Sequence, residues 1–393
     1  MSNKVALTGN EAVAYAMRQI DPDVVAAYPI TPQTDIVQCF SQYVADGKVK
    51  TEFVTVESEH SAMSATVGAS AAGARAMTAT SSQGLALMWE IVYIASSLRL
   101  PIVMPVVNRA LSAPINIHCD HGDTMGARDS GWIQLYSENA QEVYDNTLQA
   151  LRIAEHPDVL LPVMVCQDGF ITSHSLENLV VEDDEFVKQW AGPYKPDRAL
   201  LDLDRPMTIG AFDLQDYYFE HKRSQIEAMN NAGQVVRAVS EEFGKKTGRT
   251  YGFFESYRLD GADIAIVVLN STAGTAKPVV DALRADGVKA GLLKPRMFRP
   301  FPAAELAAAL KGVKAVAVMD RAEGFSGMGG PIFPEIRSAL YEAEEKPAVV
   351  NYVYGLGGRN VGMKDIKAVY DELAQVAKTG HYGRLVTYLG VRE

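Results

Sequence analysis

Alternating apolar and polar segments run through the first 180 residues of the chain. Thr8 and Glu11 form a T-x-x-E capping box ahead of the apolar run 12–20, which predicts a first helix. Short apolar runs predict buried strands, at residues 24–30, 52–56, 74–81, 102–108 and 160–166. Helical patterns separate these strands, at residues 34–45, 58–73, 83–98 and 141–155. This order predicts a parallel sheet with helices on both faces.

A second alternating unit occupies the C-terminal part of the chain. Its predicted strands lie at residues 263–269, 289–293, 314–319 and 348–354. Its predicted helices lie near residues 275–285, 303–310, 332–342 and 363–377. Between the units, an acidic run at 182–185 is expected to be a solvated loop, and a long polar helix is expected at 220–243. The fold class is therefore α/β, with two doubly wound, mostly parallel-sheet domains at 1–180 and 259–393 and a connecting region at 181–258.

Charge and hydropathy limit the classes of function. Of 393 residues, 37 are Lys or Arg and 48 are Asp or Glu, giving a net charge of −11. This balance argues against duplex nucleic acid and against a polybasic membrane anchor. Apolar stretches stay below the ~18 residues of a membrane span, and the N-terminus lacks a signal pattern, which predicts a cytoplasmic protein.

The cysteines Cys39, Cys119 and Cys166 lie far apart in the sequence and form no C-x-x-C motif. A disulfide framework is not expected. Iron–sulfur clusters normally need four thiolates, so we expect none held by this chain alone.

Ligands bind beyond the carboxyl ends of the strands in such sheets, which makes two residues there candidates for chemistry. Thr31 lies in the segment YPITP, which ends a buried strand, and its hydroxyl is either held at the ligand edge or caps the next helix. Glu59 follows the strand 52–56 and starts a helix of small residues, where it can serve as an acid–base group or cap the helix dipole.

Arg109 follows an uncharged run at 101–108 and is expected at the end of a buried strand. A buried guanidinium needs an anionic partner, which is either an internal carboxylate or a carboxylate substrate.

Histidines, a cysteine and aspartates crowd the segment 118–123 and could suggest a metal site. Their spacing fits no common metal-binding motif, so we expect a polar loop with hydrogen-bonded histidines and no metal. Glycine clusters at 324–330 and 355–358 could bind an anion, but they lack the full G-x-G-x-x-G spacing.

Several motifs taken together resemble the α subunit of the 2-oxoacid:ferredoxin oxidoreductases, in particular the pyruvate-specific branch. The matching segments are YPITP at 28–32, ESEHSAMSATVGASAAGAR at 57–75, TSSQGLALM at 80–88, NRALSAPINI at 108–117, RDSGW at 128–132, KPRMFRPFP at 294–302 and YGLGGR at 354–359. They span both α/β units, so the resemblance covers nearly the whole chain.

The resemblance implies thiamine diphosphate as cofactor, with a pyrimidine-binding-type domain followed by a transketolase-C-terminal-like domain. It also implies partners. A β subunit would hold the diphosphate, Mg²⁺ and a [4Fe–4S] cluster, and a γ subunit and a ferredoxin-like δ subunit would complete a dimer of hetero-oligomers. External ferredoxin, pyruvate and coenzyme A are the implied reactants.

The resemblance also implies roles for individual residues. Glu59 matches the glutamate that hydrogen-bonds the aminopyrimidine ring, Thr31 matches the hydroxyl that contacts substrate, and Arg109 matches the arginine that pairs with the substrate carboxylate. Tyr28 and Pro29 of YPITP are further expected cofactor contacts. Relatives that act on oxalate carry a basic residue in place of Thr31, so oxalate is disfavoured.

The sequence is therefore interpreted as an α subunit that oxidatively decarboxylates pyruvate with coenzyme A and reduces ferredoxin, reversibly. A branched-chain 2-oxoacid such as 2-oxoisovalerate is an alternative substrate, and a non-catalytic scaffold subunit is an alternative role. A nicotinamide-dependent dehydrogenase is disfavoured because no strand precedes an intact G-x-G-x-x-G motif.

Overall fold

The computed structural model describes residues 3–392. The strands are β1 (Asn3–Leu7), β2 (Val24–Ala27), β3 (Glu52–Thr55), β4 (Ala76–Met77), β5 (Val103–Asn108), β6 (Ile133–Ser137), β7 (Val163–Asp168), β8 (Glu177–Val181), β9 (Phe254–Tyr257), β10 (Ile264–Val268), β11 (Ala290–Pro295), β12 (Met297–Arg299), β13 (Ala315–Asp320), β14 (Ala348–Tyr354) and β15 (Val386–Leu389). The α-helices are α1 (Gly9–Ile20), α2 (Thr34–Ala45), α3 (Glu59–Ala72), α4 (Ser82–Leu87), α5 (Trp89–Ser97), α6 (Gly122–Gly126), α7 (Ala140–Ala154), α8 (Asp184–Ala191), α9 (Tyr218–Thr247), α10 (Thr272–Ala285), α11 (Ala303–Ala309), α12 (Ile332–Leu340) and α13 (Met363–Thr379).

The first sheet has seven strands in the order β12-β6-β7-β5-β4-β2-β3, all parallel except β12. Its two faces are covered separately, as the central strand β5 shows. Val103 and Val107 pack into the core formed with α1 and α7, whereas Met104 and Val106 pack into the core formed with α3 and α5. The sheet is therefore doubly wound.

The second sheet has six strands in the order β15-β14-β13-β10-β11-β9, with β9 antiparallel to β11 and the other pairs parallel. Alternate residues of β10 again enter different cores. Ile264 and Ile266 pack with α10 and α13, whereas Ala265 and Val267 join the same apolar core that covers α3 and α5 of the first unit. One hydrophobic core is thus shared by the two sheets, and the predicted α/β class with two mostly parallel sheets is confirmed.

Several local predictions need correction. The predicted helix 83–98 is two helices, α4 and α5, that meet at Met88, and the predicted strand 74–81 is reduced to β4 and one bridge at Thr80. The sequence pattern missed β6 and β12, which complete the first sheet at one edge. Neither carries a long apolar run, and β12 comes from the second unit, so local periodicity could not assign it.

The acidic run 182–185 is not a solvated loop. Glu182 is buried and accepts a hydrogen bond from Arg249 at 3.0 Å, and Asp183 caps α8 by accepting from the backbone N–H of Phe186 at 2.8 Å. The run therefore begins a helix. No helix within residues 3–392 has the length and hydropathy needed to cross a membrane.

Candidate active site

Glu59 is the first residue of α3, and its side chain is only 7% exposed. Ser58 caps the helix instead, since its hydroxyl accepts from the backbone N–H of Ser61 at 3.2 Å. Ser58 is therefore the side-chain cap, while Glu59 lies in the first turn, where its charge is also favourable to the helix dipole. Within residues 3–392 no hydrogen bond or ion pair reaches the Glu59 carboxylate, so this acid remains available to a ligand.

The Glu59 carboxylate lies directly against Gly84 in α4. A Cβ at position 84 would be 2.9 Å from Glu59 Oε1 and 2.4 Å from Thr80 Oγ1, so only glycine fits. The Thr80 hydroxyl is buried, and it lacks a hydrogen-bond partner in the described part of the chain. An available acid, an unpaired hydroxyl and a close backbone approach therefore meet in one small space.

Thr31 is exposed at the carboxyl end of β2 and does not cap the next helix. Gln33 is the residue before α2, and that helix start has no side-chain cap. The Thr31 carbonyl accepts from Arg109 Nη1 at 2.8 Å. Two neighbours hold this turn, because Asn10 donates to the Pro32 carbonyl at 2.7 Å and Gln33 donates to the Ala79 carbonyl at 2.9 Å. Within residues 3–392 the Thr31 hydroxyl makes no hydrogen bond, and the residue lies exposed at this edge of the sheet.

Arg109 follows β5 and is 6% exposed. Besides its bond to Thr31, its Nε donates to the carbonyl of Asn116 at 2.9 Å. Both acceptors are neutral, and within residues 3–392 no carboxylate forms an ion pair with the guanidinium. Burial lowers the pKa of Arg109, against the opposing effect of Asp123. A buried cation with only neutral partners is suited to bind an anionic ligand.

Asp123 links the two sides of this site. Its Oδ2 accepts from the backbone N–H groups of Ser82 and Arg109, each at 3.0 Å. Its Oδ1 accepts from the Asn108 side chain at 2.8 Å and from the backbone N–H of Thr124 at 2.7 Å. Burial raises the pKa of Asp123 to about 6, although these hydrogen bonds oppose the shift. One carboxylate thus connects the start of α4, the helix that contains Gly84, to the end of β5, which Arg109 follows.

Tyr28 and Pro29 follow β2 directly. Tyr28 is half-buried and Pro29 is exposed. Both lie at the same sheet edge as Thr31, where the carboxyl ends of β2, β4 and β5 are neighbours.

A buried polar cluster joins the carboxyl ends of strands from both sheets. The Asp168 carboxylate is bonded by His121 Nε2 at 2.7 Å, Asn270 Nδ2 at 2.9 Å and Arg321 Nη1 at 3.1 Å, and also by the Ser271 hydroxyl. Burial would raise the pKa of Asp168, but Arg321 and His121 hold it well below its usual range. The cluster connects residues of both units and fixes one unit against the other.

Cys119, His121 and Asp168 lie close enough to hold a metal ion. However, Arg321 Nη1 already donates to Asp168 and lies 3.6 Å from Cys119 Sγ, so a positive charge fills this position. Burial also raises the pKa of the Cys119 thiol, which keeps it protonated. The arrangement favours an ion-paired junction over a metal site, in keeping with the hydrogen-bonded histidine expected from the sequence.

The glycine cluster 324–330 does not offer a free helix N-terminus. The Asp320 carboxylate accepts from the backbone N–H groups of Ile332 at 2.8 Å and Phe333 at 3.2 Å, at the start of α12. A protein carboxylate thus fills the position that an anion would take.

Sequence reasoning assigned no role in this region to Gly84, Asp168 and Arg321, and it interpreted Asp123 only as part of the polar loop 118–123. Asp168 and Arg321 stand at the carboxyl ends of β7 and β13, so the strand-end rule could have identified both. Asp123 could not be found this way, because its role depends on backbone N–H groups that are distant in sequence.

Two family models match the chain. Residues 15–241 match the model described as pyruvate flavodoxin/ferredoxin oxidoreductase, thiamine diphosphate-binding, and residues 262–366 match pyruvate:ferredoxin oxidoreductase core domain II. Among curated relatives, pyruvate synthase subunit PorA of Thermotoga maritima is 57% identical over 99% of this chain and 98% of its own length. Ketoisovalerate oxidoreductase subunit VorA of Pyrococcus abyssi is 42% identical over 98% of this chain and 97% of its own length.

A solved structure supports the fold. The 2-oxoglutarate:ferredoxin oxidoreductase of Magnetococcus marinus superposes with a TM-score of 0.75 at 22% identity. The match covers 94% of this chain and 65% of that longer chain. The family models and the curated relatives define the class of 2-oxoacid:ferredoxin oxidoreductase subunits, and the fold agrees with it. Within this class, the chain belongs to the pyruvate flavodoxin/ferredoxin oxidoreductase family.

Thiamine diphosphate is the cofactor of this family's matching domain, and the residues of the site fit it. A heterocycle with hydrogen-bonding groups can pair with the Glu59 carboxylate and the orphaned Thr80 hydroxyl, and Gly84 allows a flat ring to approach the backbone.

Proposed function

We propose that this chain is the α subunit of an enzyme that converts pyruvate, coenzyme A and oxidised ferredoxin to acetyl-CoA, CO₂ and reduced ferredoxin, reversibly. The observation that carries the proposal is the buried, unpaired carboxylate of Glu59 against Gly84, within the thiamine-diphosphate-binding domain. When bound, the cofactor supplies the carbon nucleophile and the electron sink for decarboxylation. The chain supplies an acid, a cation and a shaped sheet edge.

Each site residue then has a role. Glu59 would hydrogen-bond the aminopyrimidine part of the cofactor and hold or release a proton at its carboxylate, and Tyr28 and Pro29 would be further contacts of the cofactor. Arg109 pairs with the pyruvate carboxylate, and the Thr31 hydroxyl donates to the substrate. The contact between Arg109 and the Thr31 carbonyl supports the last two roles, because it puts both groups at one edge of the sheet.

The proposal requires partner chains. Cys39 lies in α2, Cys166 lies in β7, and Cys119 lies in the loop before α6. These three thiols therefore do not form a binding site for an iron–sulfur cluster. We therefore infer a β subunit that holds the diphosphate, Mg²⁺ and a [4Fe–4S] cluster, with γ and ferredoxin-like δ subunits and external ferredoxin as electron acceptor. A dimer of such hetero-oligomers and a cytoplasmic location stay predictions.

The division into domains at residues 180 and 258 also stays a prediction. Strand pairing connects the proposed parts, because β9 joins the second sheet and β12 joins the first. We infer that the first unit binds the pyrimidine side of the cofactor and that the transketolase-C-terminal-like unit supports it.

Glu59→Gln in the assembled complex tests the proposal. We expect ferredoxin reduction by pyruvate to be lost while assembly is unchanged, because glutamine has similar size but cannot exchange the proton. Glu57→Gln is the matched control, since Glu57 is exposed and bonds only Ser61. Near-normal turnover in Glu59→Gln would overturn the catalytic role and favour a scaffold subunit.

A branched-chain 2-oxoacid is the second candidate substrate, because VorA is 42% identical to this chain. The 57% identity to PorA favours pyruvate. Comparing kcat/KM for pyruvate and 2-oxoisovalerate with the same complex decides between them. A higher value for 2-oxoisovalerate would replace pyruvate in the proposal.

A further inference from the structure

A glycine turn of the second unit contacts the loop that supports Arg109. The turn comprises residues 355–358, directly after β14. The Gly357 carbonyl accepts from Asn116 Nδ2 at 3.1 Å, and the backbone N–H of Gly358 donates to the Cys119 carbonyl at 2.7 Å. The backbone N–H of Gly357 also donates to Asp120 Oδ2 at 3.3 Å. The second unit therefore holds the segment 116–120 at several points.

Asn116 connects this turn to Arg109. Its carbonyl accepts from Arg109 Nε at 2.9 Å, while its side-chain Oδ1 accepts from the backbone N–H of His118 at 2.6 Å. The side-chain amide of Asn116 thus donates to the second unit, at Gly357, and accepts from its own loop, at His118. Because the side-chain amide anchors the same residue whose main-chain carbonyl accepts from Arg109, a backbone shift at Asn116 would move the acceptor that orients the guanidinium.

The contact requires glycine at position 357. Its φ is +59°, and a Cβ there would lie 2.5 Å from Asn116 Nδ2. A side chain at this position would both strain the backbone and push Asn116 away. The turn is therefore shaped for close approach to Asn116.

The rest of the loop offers little other support. Residues 111–115 are all exposed, with Ile115 79% exposed. The loop is closed by the bond from the backbone N–H of Ala110 to the His118 carbonyl at 3.0 Å, and Gln83 donates to Ser112 Oγ at 2.7 Å. Asn116 is half-buried, whereas the residues on both sides of it in this loop are exposed.

We propose that Asn116, held by Gly357, is a positioning residue that aims Arg109 at the substrate carboxylate. The inference rests on the proposed function, and it gives the second unit a role in recognising 2-oxoacids. Asn116 does not contact Glu59, so it acts on the binding of the 2-oxoacid and not on the proton exchange at the cofactor. Its loss weakens binding while the chemical step continues.

The test compares Asn116→Ala, Gly357→Ala and the double variant in the assembled complex. We expect KM for pyruvate to rise about tenfold in each single variant, equivalent to about 1.4 kcal/mol, with kcat within about twofold and KM for coenzyme A unchanged. KM for pyruvate in the double variant should be no higher than in the single variants, because both substitutions break the same contact between Asn116 and Gly357. Asn116→Leu, which keeps the volume but not the hydrogen bonds, should behave like Asn116→Ala.

Gly380→Ala is the matched control for strain. Gly380 has φ of +70° at the end of α13, and a Cβ there meets nothing within 4 Å. Its KM should equal that of the wild type. If Asn116→Ala and Asn116→Leu leave KM unchanged while Arg109→Ala raises it, the positioning role is overturned and the proposed function stands. Fully additive changes in the double variant would also overturn the link. An unchanged KM in Arg109→Ala would instead contradict the proposed carboxylate site itself.

Discussion

The guanidinium of Arg109 donates to the main-chain carbonyl of Thr31 across 2.8 Å. The two residues follow different strands, β2 and β5, and the short strand β4 lies between those strands in the sheet. Their contact makes one site of two candidates that are 78 residues apart in sequence. It places both residues at one edge of the sheet, where the proposed function assigns them to the same substrate.

Arg109→Ala should raise KM for pyruvate by roughly 10- to 150-fold, since a hydrogen bond to a charged group contributes about 1.5–3 kcal/mol. Steady-state ferredoxin reduction measures the effect. The KM of Arg109→Lys for pyruvate should lie between the values of Arg109→Ala and the wild type. Lysine keeps the charge but cannot donate to Thr31, Asn116 and the substrate together. Equal KM values in all three proteins would mean that the guanidinium does not bind the substrate.

Gly84→Ala should abolish turnover without preventing folding. The added Cβ would lie 2.9 Å from Glu59 Oε1 and 2.4 Å from Thr80 Oγ1, so both side chains must move away from the proposed cofactor. Thiamine diphosphate content after purification and ferredoxin reduction are the measurements. Gly68→Ala in α3 is the matched control, because a Cβ there meets nothing within 4 Å and alanine favours the helix by about 1 kcal/mol. Activity retained by Gly84→Ala would contradict the tight contact with Glu59.

Arg321→Leu should destabilise the protein by about 3–5 kcal/mol, because it leaves the buried carboxylate of Asp168 without its cation. The thermal midpoint of the assembled complex reports the loss. Arg223→Leu removes an exposed pair with Glu227, formed at 2.8 Å between residues four apart on α9, and should cost only about 0.3–0.5 kcal/mol. Adding Asp168→Asn to Arg321→Leu should restore part of the loss. Similar thermal midpoints for Arg321→Leu and Arg223→Leu would argue against a stabilising ion pair between Arg321 and Asp168.

Asp320 should make stability depend on pH. Burial raises its pKa to about 7, whereas an unfolded aspartate titrates near ~3.9. The folded state therefore binds the proton more tightly, and the stability gained from this proton is present below about pH 4 and lost as the pH rises through about 7. Asp320→Asn removes this dependence and keeps a capping side chain for α12.

The measurement is the difference in thermal midpoint between wild type and Asp320→Asn from pH 4 to pH 8. The wild type should lose stability relative to the variant as the pH rises. Asp371→Asn, on the surface beside Lys367, is the control and should give a nearly constant difference. A constant difference for Asp320→Asn as well would show that this carboxyl does not titrate in the interval.

The sequence predicted those parts of the fold that depend on local periodicity. The helix 141–155 and the strand 102–108 were found within a residue or two of α7 and β5, because their apolar spacing is long and regular. β4 was overestimated, since the predicted strand 74–81 has eight residues but only Ala76 and Met77 pair with β2. Periodicity reports burial, and a buried segment need not be regular.

The site was only partly predictable for a similar reason. Strand ends point to Thr31, Glu59 and Arg109 as candidates, and the resemblance implies a role for each of them. The close approach of Gly84 and the bond from Asn116 to Gly357 depend on packing between elements up to 241 residues apart. No single segment carries a signal for such contacts.

The edge strand β12 pairs with β6 of the first sheet, although it follows β11 of the second along the chain. On the ribosome, the first sheet therefore cannot be finished until residue 299 has left the exit tunnel, when much of the second sheet has also been synthesised. Until then the edge of β6 is open to pairing with other nascent chains. The two halves of the protein consequently have to mature together, and a gene cut between them would leave that edge exposed.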